Sequence, residues 1–148
     1  MATTSPRIRP LRARRRPTVP AGDVRAEEYD DHPYAPTARH LARGTAPEPM
    51  ELHADGVSEV LIRRITIPVS GSTGRHFHPG DVLAVVEQGE LTHVADNGPT
   101  HVYHAGDALL EPRGEEHVHE GINTGGDEVV LLVTYLNSSA GPLAVSVG

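Results

Sequence analysis

The chain predicts an all-β barrel or sandwich, and three observations carry that prediction. After Pro49, short segments of alternating or β-branched residues recur eight or nine times. Turn-forming residues separate them at close intervals. No stretch shows helical periodicity of useful length.

The elements follow in order. Strands are expected at Glu51–His53, Val57–Ile67, Val82–Glu87, Glu90–Ala95, Thr100–His104, Ala108–Glu111, His117–Ile122, Glu128–Leu136 and Leu143–Val147. The breaks are Pro68–Gly74, Pro79-Gly80, Asp96-Asn97-Gly98-Pro99, Ala105-Gly106-Asp107, Pro112-Arg113-Gly114 and Thr124-Gly125-Gly126-Asp127. Asn-Gly and Gly-Asp are tight-turn chemistry, because both tolerate the backbone that a reversal needs. Residues 1–44 hold six Pro and few apolar side chains, so they read as a disordered tail and irregular arm, with a short helical turn near Val24–Tyr29. Residues 45–148 are the expected barrel, and 148 residues in all suit one domain.

Composition excludes several classes. There is no Cys, so a disulfide framework, a thiolate zinc site and a thiol nucleophile are out. There is no Lys; all thirteen basic residues are Arg. Residues 1–20 carry six Arg and no acid, while residues 21–148 set seven Arg against all twenty acids, a formal charge of −13. An acidic globular part argues against nucleic-acid binding. The Arg run leads into Pro17-Thr18-Val19-Pro20 rather than an apolar stretch, so no signal peptide is legible. No segment is long and apolar enough for a membrane helix, and a cytoplasmic protein is expected.

Two Gly/Pro-bounded stretches hold the chemistry. One is Gly74-Arg75-His76-Phe77-His78-Pro79-Gly80, running to Gly89. The other runs from Gly106-Asp107 through Pro112-Arg113-Gly114-Glu115-Glu116-His117-Val118-His119 to Asn123. Residues i and i+2 of a strand share a face, so each His-x-His pair can aim two imidazoles at one place. Two such pairs on neighbouring strands would offer up to four nitrogens to a divalent transition metal.

These stretches resemble the two motifs of the cupin superfamily, over about residues 45–148. In the first motif, His76-x-His78, Val82 and Gly89 fit the spacing, with the upstream Gly one residue off at Gly71. In the second, Gly106, Pro112-x-Gly114 and His117 fit directly, whereas the motif's Asn falls two residues late at Asn123. The chain looks like the small single-domain cupins with His-x-His-Pro-Gly. The resemblance implies a double-stranded β-helix, or jelly-roll, barrel. It also implies one divalent metal (Fe, Mn, Ni, Cu or Zn) and a site of three imidazoles and one Glu. That Glu is Val82 here, which cannot ligate.

Three arrangements therefore stand open. His76 and His78 bind with one of His117 or His119 and water; all four His bind; or Asp81 turns inward at a bulge, against strand parity. Pro-x-Gly spacing favours His117, the gap to Asn123 favours His119, and the better-matched N-terminal side of the motif puts His117 ahead. Arg63 and Arg64 occupy adjacent strand positions, so one faces inward and can fork onto a carboxylate. Tyr103 and Tyr135 are further candidate pocket residues. His93, His101 and His104 are expected to face solvent. No side chain stands out as a general base, so no catalytic residue is named and metal ligation is the assigned role.

The resemblance implies a metal-dependent enzyme acting on a small, oxygen-chelating and anionic metabolite, as a dioxygenase, isomerase or decarboxylase. The alternative is a non-catalytic cupin serving as sensor or accessory protein; a metal-free barrel using His as a base is a third. A homodimer is expected, because small cupins pair and the arm and last strand can cover a sheet edge. The partners are then a small-molecule substrate and a second copy, without nucleic acid or membrane.

Overall fold

The computed structural model describes residues 39–138 and 141–148. The expected tail, the turn at Val24–Tyr29 and the Arg run fall outside the described residues. The compact unit considered below runs His40–Gly148.

It is all-β. The strands are β1 (Glu59–Ile67), β2 (His76–Phe77), β3 (Val82–Gln88), β4 (Glu90–Ala95), β5 (His101–His104), β6 (Ala108–Glu111), β7 (His119–Ile122), β8 (Val129–Asn137) and β9 (Val145–Ser146). A single 3₁₀ turn, Glu115–His117, interrupts them among the described residues. They form a four-stranded sheet, β1-β8-β3-β6, and a five-stranded sheet, β5-β4-β7-β2-β9. All strand pairings are antiparallel. Among the described residues no helix is long and apolar enough to cross a membrane.

Strict alternation builds the core. On β3, Val82, Ala84 and Val86 are buried; on β8, Val129, Leu131, Val133 and Tyr135 are. Ile67, Leu91 and Leu109 join them, with Leu91 reaching in from the second sheet. A fully buried Val or Leu contributes about 1.5–3 kcal/mol. Val82 has no exposed surface, so at the position where the family carries a ligand this chain has a packing residue.

Most expected strands are present, and two differences bear on the site. Glu51–His53 forms no strand; the His53 N–H is instead held by the Asp81 carboxylate at 2.7 Å. The strand expected at His117 starts only at His119, because the 3₁₀ turn Glu115–His117 takes up His117 and Val118 only leads out of it. Gly80 lets the chain cross β8 closely: a Cβ there would lie 1.8 Å from the Leu136 carbonyl oxygen.

Candidate metal centre

The five-stranded sheet supplies imidazoles and the four-stranded sheet supplies a carboxylate. His76 lies on β2 and pairs across to His119 on β7. His78 follows directly after β2, and His93 lies on β4. The rings converge: centroids are 4.8 Å apart for His76–His78, 4.6 Å for His76–His119 and 5.1 Å for His78–His119. One ring nitrogen of each of these three lies within 4.8 Å of the others. His93 stacks on His119 at 4.9 Å.

Backbone carbonyls fix how the three rings point. Nδ1 of His76 lies 2.7 Å from the Gly74 oxygen, Nδ1 of His78 2.7 Å from that of Leu143, and Nδ1 of His119 2.8 Å from that of His117. A carbonyl only accepts, so each Nδ1 carries the proton and donates it. In the neutral ring Nε2 is then a bare lone pair. The Nε2 atoms of His78, His93 and His119 are buried and make no directed hydrogen bond. Orphaned buried acceptors are costly unless a cation completes them. Such carbonyl-anchored rings with free Nε2 atoms match what a bound transition metal requires of its ligands. The donor set therefore fits a divalent transition metal.

Facing them is Glu111, the last residue of β6. Its oxygens lie 3.1 Å from His78 Nε2, 3.4 Å from His93 Nε2 and 3.5 Å from His119 Nε2. Burial pushes the Glu111 carboxyl up, but the three surrounding imidazoles outweigh it and hold it well below the usual carboxylate range. Burial likewise pushes His119 down, and contact with Glu111 more than reverses this, so His119 is raised. His76 is lowered, chiefly by burial and only partly offset by the Gly74 carbonyl.

The sequence candidates separate cleanly. His76, His78 and His119 come together. His117 does not: it ends the 3₁₀ turn, its side chain keeps 45 % of its surface exposed, and its nearest charged neighbour is Glu116. The shared parity expected of His117 and His119 fails because His117 is not in the strand. Asp81 is buried but committed elsewhere. Its two oxygens accept the N–H groups of His53 (2.7 Å) and Arg113 (3.0 Å). Asn123 stitches its own turn, donating to the Ile67 and Asp127 carbonyls.

The remaining candidates divide between the centre and its surroundings. Tyr135 is buried, edge-on to His78 at 5.7 Å, and its hydroxyl is raised by burial and by Glu111. Arg63 sits 5.9 Å over the Tyr135 ring. Arg64 points away and pairs with Glu87 at 2.8 Å. Tyr103 lines a separate groove of about 700 Å³ with His53, His101 and His117. A smaller cavity of about 120 Å³ reaches the centre on its His119 side, lined by His93, Glu111, His117 and His119.

Sequence reasoning missed His93 and Glu111. The available signal was parity. Glu111 shares the inner face of β6 with Leu109, and His93 shares that of β4 with Leu91, both buried.

The cupin-domain family model matches residues 63–135, from β1 to β8. This chain is a cupin. Its solved relatives include an oxalate oxidase in complex with the substrate analogue glycolate, at 25 % identity and TM-score 0.52, covering 60 % of this chain and 46 % of that one. The polyketide cyclase RemF from Streptomyces resistomycificus is 26 % identical at TM-score 0.52, covering 64 % of each chain. The DMSP lyase DddQ from Ruegeria pomeroyi shares the fold at 20 % identity and TM-score 0.52, covering 59 % of this chain and 42 % of its own. This cupin thus spans about half the length of the oxalate oxidase it matches. No curated protein matches it.

Proposed function

We propose that this cupin is a metal-dependent enzyme acting on a small oxygen-chelating metabolite. One observation carries the reading: three imidazoles anchored through Nδ1 to backbone carbonyls each bring a ring nitrogen within 4.8 Å of the other two. His76, His78 and His119 would hold a single divalent ion, Fe, Mn, Ni, Cu or Zn. Such an ion acts as a Lewis acid toward a chelating oxygen substrate and, where redox-active, supports oxygen chemistry. The protein's part is positional. The Gly74, Leu143 and His117 carbonyls fix the tautomers. Tyr135, buried edge-on to His78, covers one side of that ring. The 120 Å³ cavity sets the size of what reaches the centre, and its His93 can hydrogen-bond a polar substrate atom. Size and polarity favour a small hydroxy acid or dicarboxylate, the class to which the oxalate oxidase's glycolate belongs. A dioxygenase, isomerase or decarboxylase reaction on such a molecule remains the expectation.

We also read the protein as a cytoplasmic homodimer whose cupin unit begins near residue 45. Val60 and Ile62, 60 % and 59 % exposed on edge strand β1, support pairing with a second copy. The Thr45–Asp107 bridge supports the boundary.

Elemental analysis of the full chain, before and after chelation and reloading, tests the metal. Oxygen uptake and product analysis with glycolate, oxalate and related acids then test the chemistry. One metal per chain with turnover of one such acid is expected. Metal without any turnover would make this a binding protein; no metal would remove the reading.

A further inference from the structure

We infer that Glu111 is the carboxylate ligand of this centre, supplied from β6 in place of the one the first motif lacks at Val82. The inference rests on the triad reading above and adds a fourth, charged ligand to it.

Three observations carry it. The first is register. Val82 and Glu111 are direct partners across the β3–β6 pair, so a carboxylate at residue 111 reaches from one strand further along the same inner face. The second is distance. Neighbouring donors held 2.1 Å from a common ion stand about 3.0 Å apart at right angles and about 3.4 Å apart at tetrahedral angles. Glu111 stands 3.1 Å from His78 Nε2 through Oε2 and 3.5 Å from His119 Nε2 through Oε1, and its carboxylate groups with His93 and His119 in a second cluster of ligand atoms within 4.8 Å of one another that shares His119 with the triad. The third is the chemistry of the contact. His78 and His119 have each committed Nδ1–H to a carbonyl. In the neutral rings the two Nε2 lone pairs face the carboxylate with no directed hydrogen bond between them, a contact that only a second ring proton or a shared cation satisfies. A shared cation would satisfy both imidazoles and the carboxylate at once. His93 closes the far side: it lies 3.4 Å from Glu111 and stacks on His119, which limits how the carboxylate can swing.

The consequence is a change of charge. Three neutral imidazoles leave a divalent ion with its full +2; Glu111 lowers the centre to +1. Asp81, the other acid beside Val82, cannot substitute, because both its oxygens hold backbone N–H groups.

The test uses the full chain, stripped with chelator and titrated with Co²⁺ alone against a competing chelator. The visible spectrum of bound Co²⁺ reports its ligands. Glu111→Gln keeps size and shape. It should weaken Co²⁺ at least tenfold and change the visible bands. Glu111→Val should do the same, and Val82→Glu combined with Glu111→Val should recover most of the lost affinity by moving the carboxylate back across the strand pair. Glu111→Gln with affinity within threefold, or with an unchanged spectrum, would overturn the inference and leave the triad standing. Stoichiometric Co²⁺ in His76→Ala/His78→Ala would instead remove the triad reading beneath it.

Discussion

The two His-x-His pairs are near-identical in sequence and end up differently. His76 and His78 both reach the centre. His117 and His119 are parted, one on a solvent-facing turn and one buried in the cluster. Spacing converts to geometry only within one continuous extended segment. The first pair lies on such a segment, β2 and its immediate continuation. The second straddles a 3₁₀ turn that begins after Gly114, whose φ of +114° favours glycine. The turn uses Glu115–His117 before β7 starts, so parity counted back from His119 has no meaning at His117. The gap to Asn123 was counted from within the strand and pointed to His119; the Pro-x-Gly spacing was counted across the turn and pointed to His117.

The sharpest way to break this comparison is to remove one imidazole from each side of it. His78→Ala and His119→Ala should each lower metal affinity at least about 100-fold, since losing a ligand exceeds the usual cost of losing an outer-shell partner. Competition titration with Co²⁺ measures it. Equal retention in both would mean that the centre is not assembled from the two motifs.

How much of this was legible follows from the same logic. The strands were readable because turn residues bracket alternating apolar runs, as around β3, β4 and β8. The barrel was readable because both motifs stand in order. The centre was half readable. His76 and His78 needed only local spacing. Strand parity could turn Glu111 and His93 inward, but setting them beside the imidazoles needed register between strands distant in sequence: Val82 against Glu111, and Ala95 against His119. No local pattern encodes those pairings. Glu51-Leu52-His53 misled because alternation over three residues is too short to distinguish a strand from a segment held by one buried acid.

Next in size comes the frame of the first motif. Gly80→Ala should cost about 2–3 kcal/mol, because its Cβ would stand 1.8 Å from a backbone oxygen of β8 that cannot move without shifting the sheet. Chemical denaturation checks the value. A neutral result would mean that the crossing at Leu136 is looser than described and that His78 is not rigidly held.

Two acids flank Val82 in space, Asp81 buried and Glu111 half-buried, and they sharpen the comparison further. Glu111 faces imidazoles, while Asp81 ties the first-motif turn to Arg113 in the second. Burial pushes Asp81 up, but the His53 and Arg113 N–H groups outweigh it and hold it below its ordinary value. A depressed folded value means stability that is present above the unfolded carboxylate range, near pH 4, and lost as pH falls through the lower folded value. Asp81→Asn leaves one acceptor for two donors and should cost about 1–2 kcal/mol at neutral pH. The gap to the parent chain should close below about pH 4. Thermal unfolding across pH 3–7 measures both. A gap independent of pH would assign the effect to packing rather than to the charge.

The smallest expected effect is the most discriminating. His117→Ala should leave Co²⁺ affinity within about threefold, against the large losses expected at His78 and His119. Its stability should change by no more than about 0.5 kcal/mol, as for an ordinary surface substitution. The side chain is 45 % exposed and its contact with Glu116 is 3.9 Å long, too weak to matter for folding. What His117 does contribute is its carbonyl, which holds His119 Nδ1, and alanine keeps that carbonyl. Replacement by proline separates the two roles. Proline removes the N–H that bonds the Gly114 carbonyl at 3.1 Å and so disturbs the turn. It should therefore weaken metal binding through His119 although no ligand is lost. If His117→Ala itself strips the metal, the 3₁₀ turn must unwind into strand when metal binds, and the centre has four histidines after all.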